Sequence, residues 1–243
     1  MQAGCSKVFI TSRKAKACEE ACAALNKLST RSPGAIAIPV PADSSKASEI
    51  DRLVAEVAKH TDHIDILLAN AGATWGASFD THPDSAFAKV MDLNVKAVFN
   101  TIQRFAPLLQ ARATRDDPSH VVVTGSVAGI GIGNVGNALA TFGYSASKAA
   151  VIHLARNLAV ELGPRHILVN SIAPGFFPSK MANDLMEAGG GVEELGKQSP
   201  NGRLGHAEDI AGVVVFLCSR ASNHVNGDTV VIDGGKLWAN AKL

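Results

Sequence analysis

Tyr144 and Lys148 stand four residues apart in Gly143-Tyr144-Ser145-Ala146-Ser147-Lys148-Ala149-Ala150, at the head of an apolar run with helical spacing that continues to Leu162. On a helix that spacing puts the phenol and the ammonium on one face. A cation beside a phenol favours phenolate, so the expectation is a tyrosine pulled below its ordinary ~10 and able to act as a general acid or base. Tyr144 is the single tyrosine of the 243 residues, which leaves phenol chemistry one candidate. Taken alone, such a pair also fits a solvated helix face, and its weight comes from what accompanies it.

Two further residues put polar groups into apolar surroundings. Ser126 follows the apolar run His120–Thr124, and its hydroxyl could hydrogen-bond a carbonyl oxygen as negative charge develops there. The plainer reading is a turn serine capping the chain. Asn94 interrupts an apolar helical stretch from Phe87 to Leu109, where asparagine has poor propensity and its amide needs partners. A packing asparagine is the alternative. Cys5, Cys18, Cys22 and Cys218 form no Cys-x-x-Cys pair, and the one-turn spacing of Cys18 and Cys22 has no second pair to complete a metal site. No metal is expected, and the thiols read as ordinary buried or half-exposed groups.

The elements that must position these residues follow from periodicity. Short apolar runs at Lys7–Thr11, Ala35–Val40, Ile64–Ala69, His120–Thr124, Leu168–Ile172 and Thr229–Ile232 alternate with helical stretches, beginning with Ala15–Leu28 and a segment ending near His60. The runs are continuous in Val, Ile and Leu rather than alternating, which predicts a mostly parallel sheet buried on both faces by helices. Unusual residues follow the runs in turn: Arg13 after the first, Asp43 after the second, Asn70-Ala71-Gly72 after the third, Ser126 after the fourth, Pro174-Gly175 after the fifth. Ligands of open parallel sheets gather outside the carboxyl ends of the strands, so one edge is expected to carry the chemistry.

With 47% hydrophobic residues the chain can bury a sizeable core, and one domain over 1–243 is expected. Lys plus Arg number 23 against 22 Asp plus Glu, a balance that offers no field for nucleic acid or an anionic membrane surface. No apolar run approaches the ~20 residues of a membrane span, and the first residues lack the layout of a signal peptide. The expectation is a cytoplasmic protein acting on small molecules. Gly131–Gly143 and Ala188–Gly202 are the loosest stretches. The second is expected to form a mobile flap over the site, with Phe176, Phe177, Met181, Leu185 and Met186 as an apolar wall.

Five pieces in order resemble the short-chain dehydrogenase/reductase family, including its 3-oxoacyl-carrier-protein reductases. They are Asn70-Ala71-Gly72, Asn94 within Leu93-Asn94-Val95, Ser126 within Gly125-Ser126-Val127-Ala128-Gly129, Tyr144 to Lys148, and Pro174-Gly175 after Val169-Asn170-Ser171-Ile172-Ala173. The resemblance runs from about residue 7 to the end and implies a Rossmann-like fold. It implies an oxidoreductase that moves a hydride between NADP(H) and a ketone or secondary alcohol, of 3-oxoacyl type or a related small ketone. Asn94, Ser126, Tyr144 and Lys148 would be catalytic: Tyr144 giving a proton to the carbonyl oxygen, Lys148 steadying the phenolate and binding the nicotinamide ribose, Asn94 helping to hold a proton-relaying water. Asn70, Ala71 and Gly72 would lie under the adenosine-side ribose and phosphates, and Asp43 would meet the adenine. Pro174, Gly175, Phe177 and Ser179 would border the nicotinamide half, Ser179 standing where the family often has threonine. The helices around Phe87–Leu109 and Tyr144–Leu162 would form the interface of a homotetramer or homodimer. An acidic residue after the first strand would receive the free 2′-hydroxyl of NAD, whereas Ser12-Arg13-Lys14 offers cations that suit the 2′-phosphate of NADP. Solvated helix-start cations are the alternative.

The family opens with a strand and a Gly-rich turn that seats the pyrophosphate against a helix. Here Lys7–Thr11 aligns with the family's second strand, Gly4 stands alone before it, and the glycines of Gly125–Gly136 fall in the serine loop. A strand, the phosphate loop and most of a helix, on the order of 35 residues, are therefore expected to be missing. The expected fold is an N-terminally truncated α/β doubly wound sheet whose order 3-2-1-4-5-6 lacks its middle, with unpaired flanking edges. An incomplete gene reading, a genuine short form and completion by a partner chain are all open, and the intact catalytic set favours the first. The same gap motivates a rival function, a non-catalytic binding or regulatory protein on a reductase scaffold.

Overall fold

The computed structural model describes residues 1–179, 186–187 and 189–239. Strands and helices alternate along the chain: β1 (Lys7–Ile10), α1 (Ala15–Asn26), β2 (Ile36–Pro39), α2 (Ala47–Ala58), β3 (Ile66–Ala69), α3 (Asp84–Met91), α4 (Ala97–Gln110), β4 (Ser119–Thr124), α5 (Phe142–Leu162), β5 (Ile167–Pro174), α6 (Gly191–Lys197), α7 (Ala207–Leu217), β6 (Thr229–Ile232) and α8 (Lys236–Ala239). Each strand lies within a residue or two of its apolar run. All the strand pairs are parallel, as crossover helices between strands require.

Pairing divides the strands into two hydrogen-bonded groups, β1 with β2 and β3-β4-β5-β6. The sheet expected to lack its middle is thus two sheets over a shared core, with β1 and β3 each hydrogen-bonded on one edge only. Burial on both faces, expected for every run, holds for β4 and most of β5, which have a neighbour on each edge and helices above and below. In β3 it fails: Ile66 and Leu68 are exposed while Leu67 and Ala69 point inward.

Alternation along β4 builds the two faces. Val121 and Val123 join Ile102, Phe105 and Leu109 of α4 and Val151, Ala155 and Leu158 of α5 in the main cluster. Val122, between them, turns to the opposite face and meets Ile172 and Leu217 of α7. Each such fully buried aliphatic side chain contributes roughly 1.5–3 kcal/mol. Phe9, Ile38, Val40 and Leu53 pack on the main cluster, which ties the two-stranded sheet and α2 to the rest.

Three expectations change. The helix foreseen over Phe87–Leu109 is α3 and α4 joined by a π-helical turn, Asp92–Lys96, centred on Asn94. The stretch foreseen as a flap contains α6, whose Leu195 packs with Met186, Leu204 and Phe176 in a small cluster of its own. Met186 is therefore core rather than wall, because its neighbours offer it apolar contact. Met181 and Leu185 lie outside the described residues. All four cysteines are free thiols, Cys18 and Cys22 buried. Among the described residues no cluster of metal-binding groups occurs, and no helix is long and apolar enough to cross a membrane.

Candidate active site

The carboxyl ends of β3, β4 and β5 deliver Asn70, Ser126 and Pro174 to one edge, and α5 brings Tyr144 and Lys148 to it. Helical spacing works as expected: the Lys148 ammonium sits 5.6 Å from the centre of the Tyr144 ring. Lys148 is buried at 5% exposure and donates a 2.7 Å hydrogen bond to the backbone carbonyl of Thr124 at the end of β4. Ser126 begins a 3-10 turn, Val127–Gly129, and its hydroxyl accepts from the Ala128 amide at 3.2 Å. The capping reading is therefore correct, and it coexists with a position beside the phenol. Gly129 makes that position possible. A Cβ there would stand 2.5 Å from the Lys148 carbonyl carbon and 2.6 Å from the Ala149 nitrogen, so only glycine lets the turn lie directly on α5.

The electrostatics correct the sequence expectation for Tyr144. Burial raises the phenol above its ordinary value, and the neighbouring Ser126 hydroxyl opposes that only in part. Burial acts on Lys148 too, pushing the ammonium down to about 8. A low-dielectric pocket disfavours the charged form of both groups, phenolate and ammonium alike. Burial thereby favours the protonated phenol at Tyr144.

Asn94 is buried and its amide is fully engaged. Its Oδ1 accepts from the Ala73 amide at 2.8 Å, and its Nδ2 donates to the Ala73 carbonyl and to Ser147 Oγ, each at 2.9 Å. Ser147 in turn donates to the Tyr144 carbonyl at 2.7 Å. The asparagine thus joins the loop after β3 to the first turn of α5, and the π turn brings its side chain inward. The contacts are those of the packing asparagine weighed as the alternative, and what it packs together is the Ala73 loop and the helix that carries Tyr144 and Lys148. Gly72 belongs to the same junction, since a Cβ on it would lie 3.2 Å from Asn94 Oδ1 and 3.7 Å from Lys148 Nζ.

Ser126, Tyr144 and Lys148 open onto one cavity of about 1510 Å³, also lined by Asn70, Gly72, Pro174, Gly175, Phe177 and Ser179. Asn94 stands behind its wall. Arg13, Asp43 and Ala71 are not among the lining residues, although Arg13 is near enough to Asp43 to help lower its carboxyl, after the hydrogen bond from Ser45. Sequence reasoning missed three participants. Ser147 was visible as a small hydroxyl beside Lys148, and Gly129 as the closing glycine of the serine motif. Thr124 acts through its carbonyl, which no side-chain reading reveals, while its hydroxyl donates to Asn70 Oδ1 at 3.0 Å.

A family model described as enoyl-(acyl carrier protein) reductase matches residues 1–236. The rhamnolipids biosynthesis 3-oxoacyl-(acyl-carrier-protein) reductase of Pseudomonas aeruginosa is 37% identical over 235 residues, covering 97% of this chain and 88% of that protein. The short-chain dehydrogenase/reductase PhomF of Diaporthe leptostromiformis is 33% identical over 224 residues, 82% of this chain and 74% of that one. The chain belongs to the short-chain dehydrogenase/reductase family. As a member of that family it is an oxidoreductase. Among solved structures, the Pseudomonas aeruginosa RhlG/NADP active-site complex superposes with a TM-score of 0.85 at 37% identity, over 95% of this chain and 86% of that one. Levodione reductase superposes with a TM-score of 0.83 at 30% identity, over 96% and 88%. The family-model match extends through residues 1–6, ahead of β1, and lends no support to the expectation of a missing strand and phosphate loop.

Proposed function

We propose that this chain is an NADP(H)-dependent carbonyl reductase acting on a ketone of 3-oxoacyl type or a related small ketone. The observation that carries the proposal is Ser126, Tyr144 and Lys148 together on one cavity of about 1510 Å³. Sites for one small ligand run to roughly 300–1,000 Å³, so this cavity has room for two reactants side by side. The 3-oxoacyl reductase and the NADP complex among the relatives support the choice of substrate and cofactor.

When bound, the nicotinamide supplies the hydride that adds to the ketone carbon. Tyr144, kept protonated by burial, gives its proton to the carbonyl oxygen, and the Ser126 hydroxyl hydrogen-bonds that oxygen as charge develops. Lys148 then steadies the phenolate it faces. The lysine suits the cofactor's ribose as well, because an ammonium has three donors and the Thr124 carbonyl takes one. Asn70, Ala71 and Gly72 would underlie the adenosine side, Asp43 the adenine and Arg13 the 2′-phosphate, while Pro174, Gly175, Phe177 and Ser179 would border the nicotinamide. Asn94 acts by holding the Ala73 loop against α5.

Replacing Tyr144 with Phe should lower NADPH oxidation with a 3-oxoacyl thioester by roughly 10²–10⁴-fold, the span of a general acid's contribution. Undiminished turnover would defeat the assignment, and equal rates with NADH would defeat the role given to Arg13.

We propose that the sheet lacks a strand between β1 and β3, together with the phosphate-seating turn that would follow it. The separation of the strands into two groups and the exposure of Ile66 and Leu68, at 36% and 46%, support it. Amide exchange as slow at Ile66–Ala69 as at β4 would contradict an open edge. The same gap supports a second reading, a protein that binds NADPH without turning it over. A homotetramer or homodimer through α4 and α5 draws support from exposed Phe99 and Val160, and a monomeric mass in solution would count against it. Free thiols fit a cytoplasmic setting.

A further inference from the structure

One charged side chain in the cavity wall has no part in the chemistry above. Lys236 opens α8, in a turn whose Asp233 carboxylate is engaged by backbone: Oδ1 accepts from the Gly235 amide at 2.8 Å and Oδ2 from the Leu237 amide at 2.6 Å. The Lys236 ammonium lies 5.3 Å from the centre of the Phe176 ring and donates to Gln198 Oε1 at 3.0 Å. Lys236, Phe176 and Gln198 all line the cavity that Tyr144 lines. Among the described residues no carboxylate comes within 4.0 Å of its nitrogen. The cavity's own carboxylate, Glu208, is solvent-exposed and pairs with no cation among the described residues.

Both partners of this ammonium are neutral, and a half-buried charge with neutral partners is costly to keep. Burial lowers its pKa, which is the signature of that cost. A methionine or glutamine would bridge the same two neighbours without it. The charge makes sense if its counter-ion arrives with the ligand, since among the described residues two of the three ammonium donors have no partner.

We propose that Lys236 is a specificity-determining residue that selects substrates carrying an anionic group, carboxylate or phosphate, at the end of the molecule away from the reacting ketone. Phe176 and Gln198 hold the ammonium toward the cavity, and the apolar lining between it and Tyr144 takes the connecting hydrocarbon. The inference rests on the reductase reading for the position of the ketone, but its test does not depend on turnover.

The test is calorimetric binding of methyl-ketone carboxylates of increasing chain length, their methyl esters and the matching oxoalkyl phosphates, to the full chain with and without NADP⁺. Such dead-end complexes give affinity without reaction. The acid should bind about 10- to 100-fold tighter than its ester at one chain length, the range of a charge-assisted hydrogen bond in a partly desolvated site. Lys236→Gln should abolish that preference and leave ester binding unchanged, while Lys236→Arg should retain most of it. The phosphate arm shows which anion the site favours. Equal binding of acid and ester at every length overturns the proposal, and so does a Lys236→Gln variant that weakens both alike, which would make the lysine a structural tie. NADPH oxidation with the neutral ester reads the reductase assignment separately: its absence sinks that assignment while the binding preference still decides the role of Lys236.

Discussion

Lys148 is expected to weaken the fold it serves. Burial takes its pKa from an ordinary 10.5 to about 8, a fall that at about 1.4 kcal/mol per pH unit amounts to roughly 3 kcal/mol. Replacing Lys148 with Met removes that penalty but strips the Thr124 carbonyl of its donor, a loss of about 1 kcal/mol. The variant should therefore be more stable than the wild type by ~2 kcal/mol at pH 7, with a Tm higher by roughly 4–8 °C for a chain of this length. The sign follows from proton linkage. With the folded pKa below the unfolded one, the unfolded chain holds more protons between pH 8 and 10.5, so wild-type stability rises with pH across that window. The penalty is complete below pH 8 and gone above pH 10.5, and the gap between variant and wild type should close over the same range. Urea unfolding of both proteins at pH 7, 9 and 10.5 measures it, and NADPH oxidation by the variant should be lost. A variant less stable than wild type at pH 7, or a gap that does not narrow with pH, would refute the reasoning.

Two other substitutions probe how the site is held together. Asn94→Ala leaves the half-buried Ala73 amide and carbonyl without these partners; at about 1–3 kcal/mol per orphaned group it should destabilise by roughly 3 kcal/mol in urea unfolding and lower kcat, and a wild-type denaturation midpoint would show that the junction tolerates its loss. Gly129→Ala must push the serine turn off the backbone of α5; an overpacking cost of about 1–3 kcal/mol is expected together with a fall in kcat, and wild-type values of both would mean that the turn can move without disturbing Ser126.

The pattern of residues along the chain was enough for much of this protein. Periodicity located β1 to β6 to within a residue or two, since a buried parallel strand leaves a run of Val, Ile and Leu that needs no distant information. Spacing put Tyr144 and Lys148 on one face of α5 because helical geometry is local. The strand ends at Asn70, Ser126 and Pro174 were legible for the same reason, and so was their gathering at one edge. Tertiary structure decided the rest. Whether Tyr144 is acidified or held protonated depends on burial, which is the sum of everything packed around it and has no local signature. The π turn at Asn94 exists because Ala73 and Ser147, distant in sequence, offer its amide partners, whereas the same stretch read alone is a continuous helix. Gly129 looks like a loop glycine until α5 is laid against it. The position of Lys236 in the cavity wall required β6 to carry the end of the chain back past Phe176 and Gln198, a contact between segments that no periodicity within any one of them foretells.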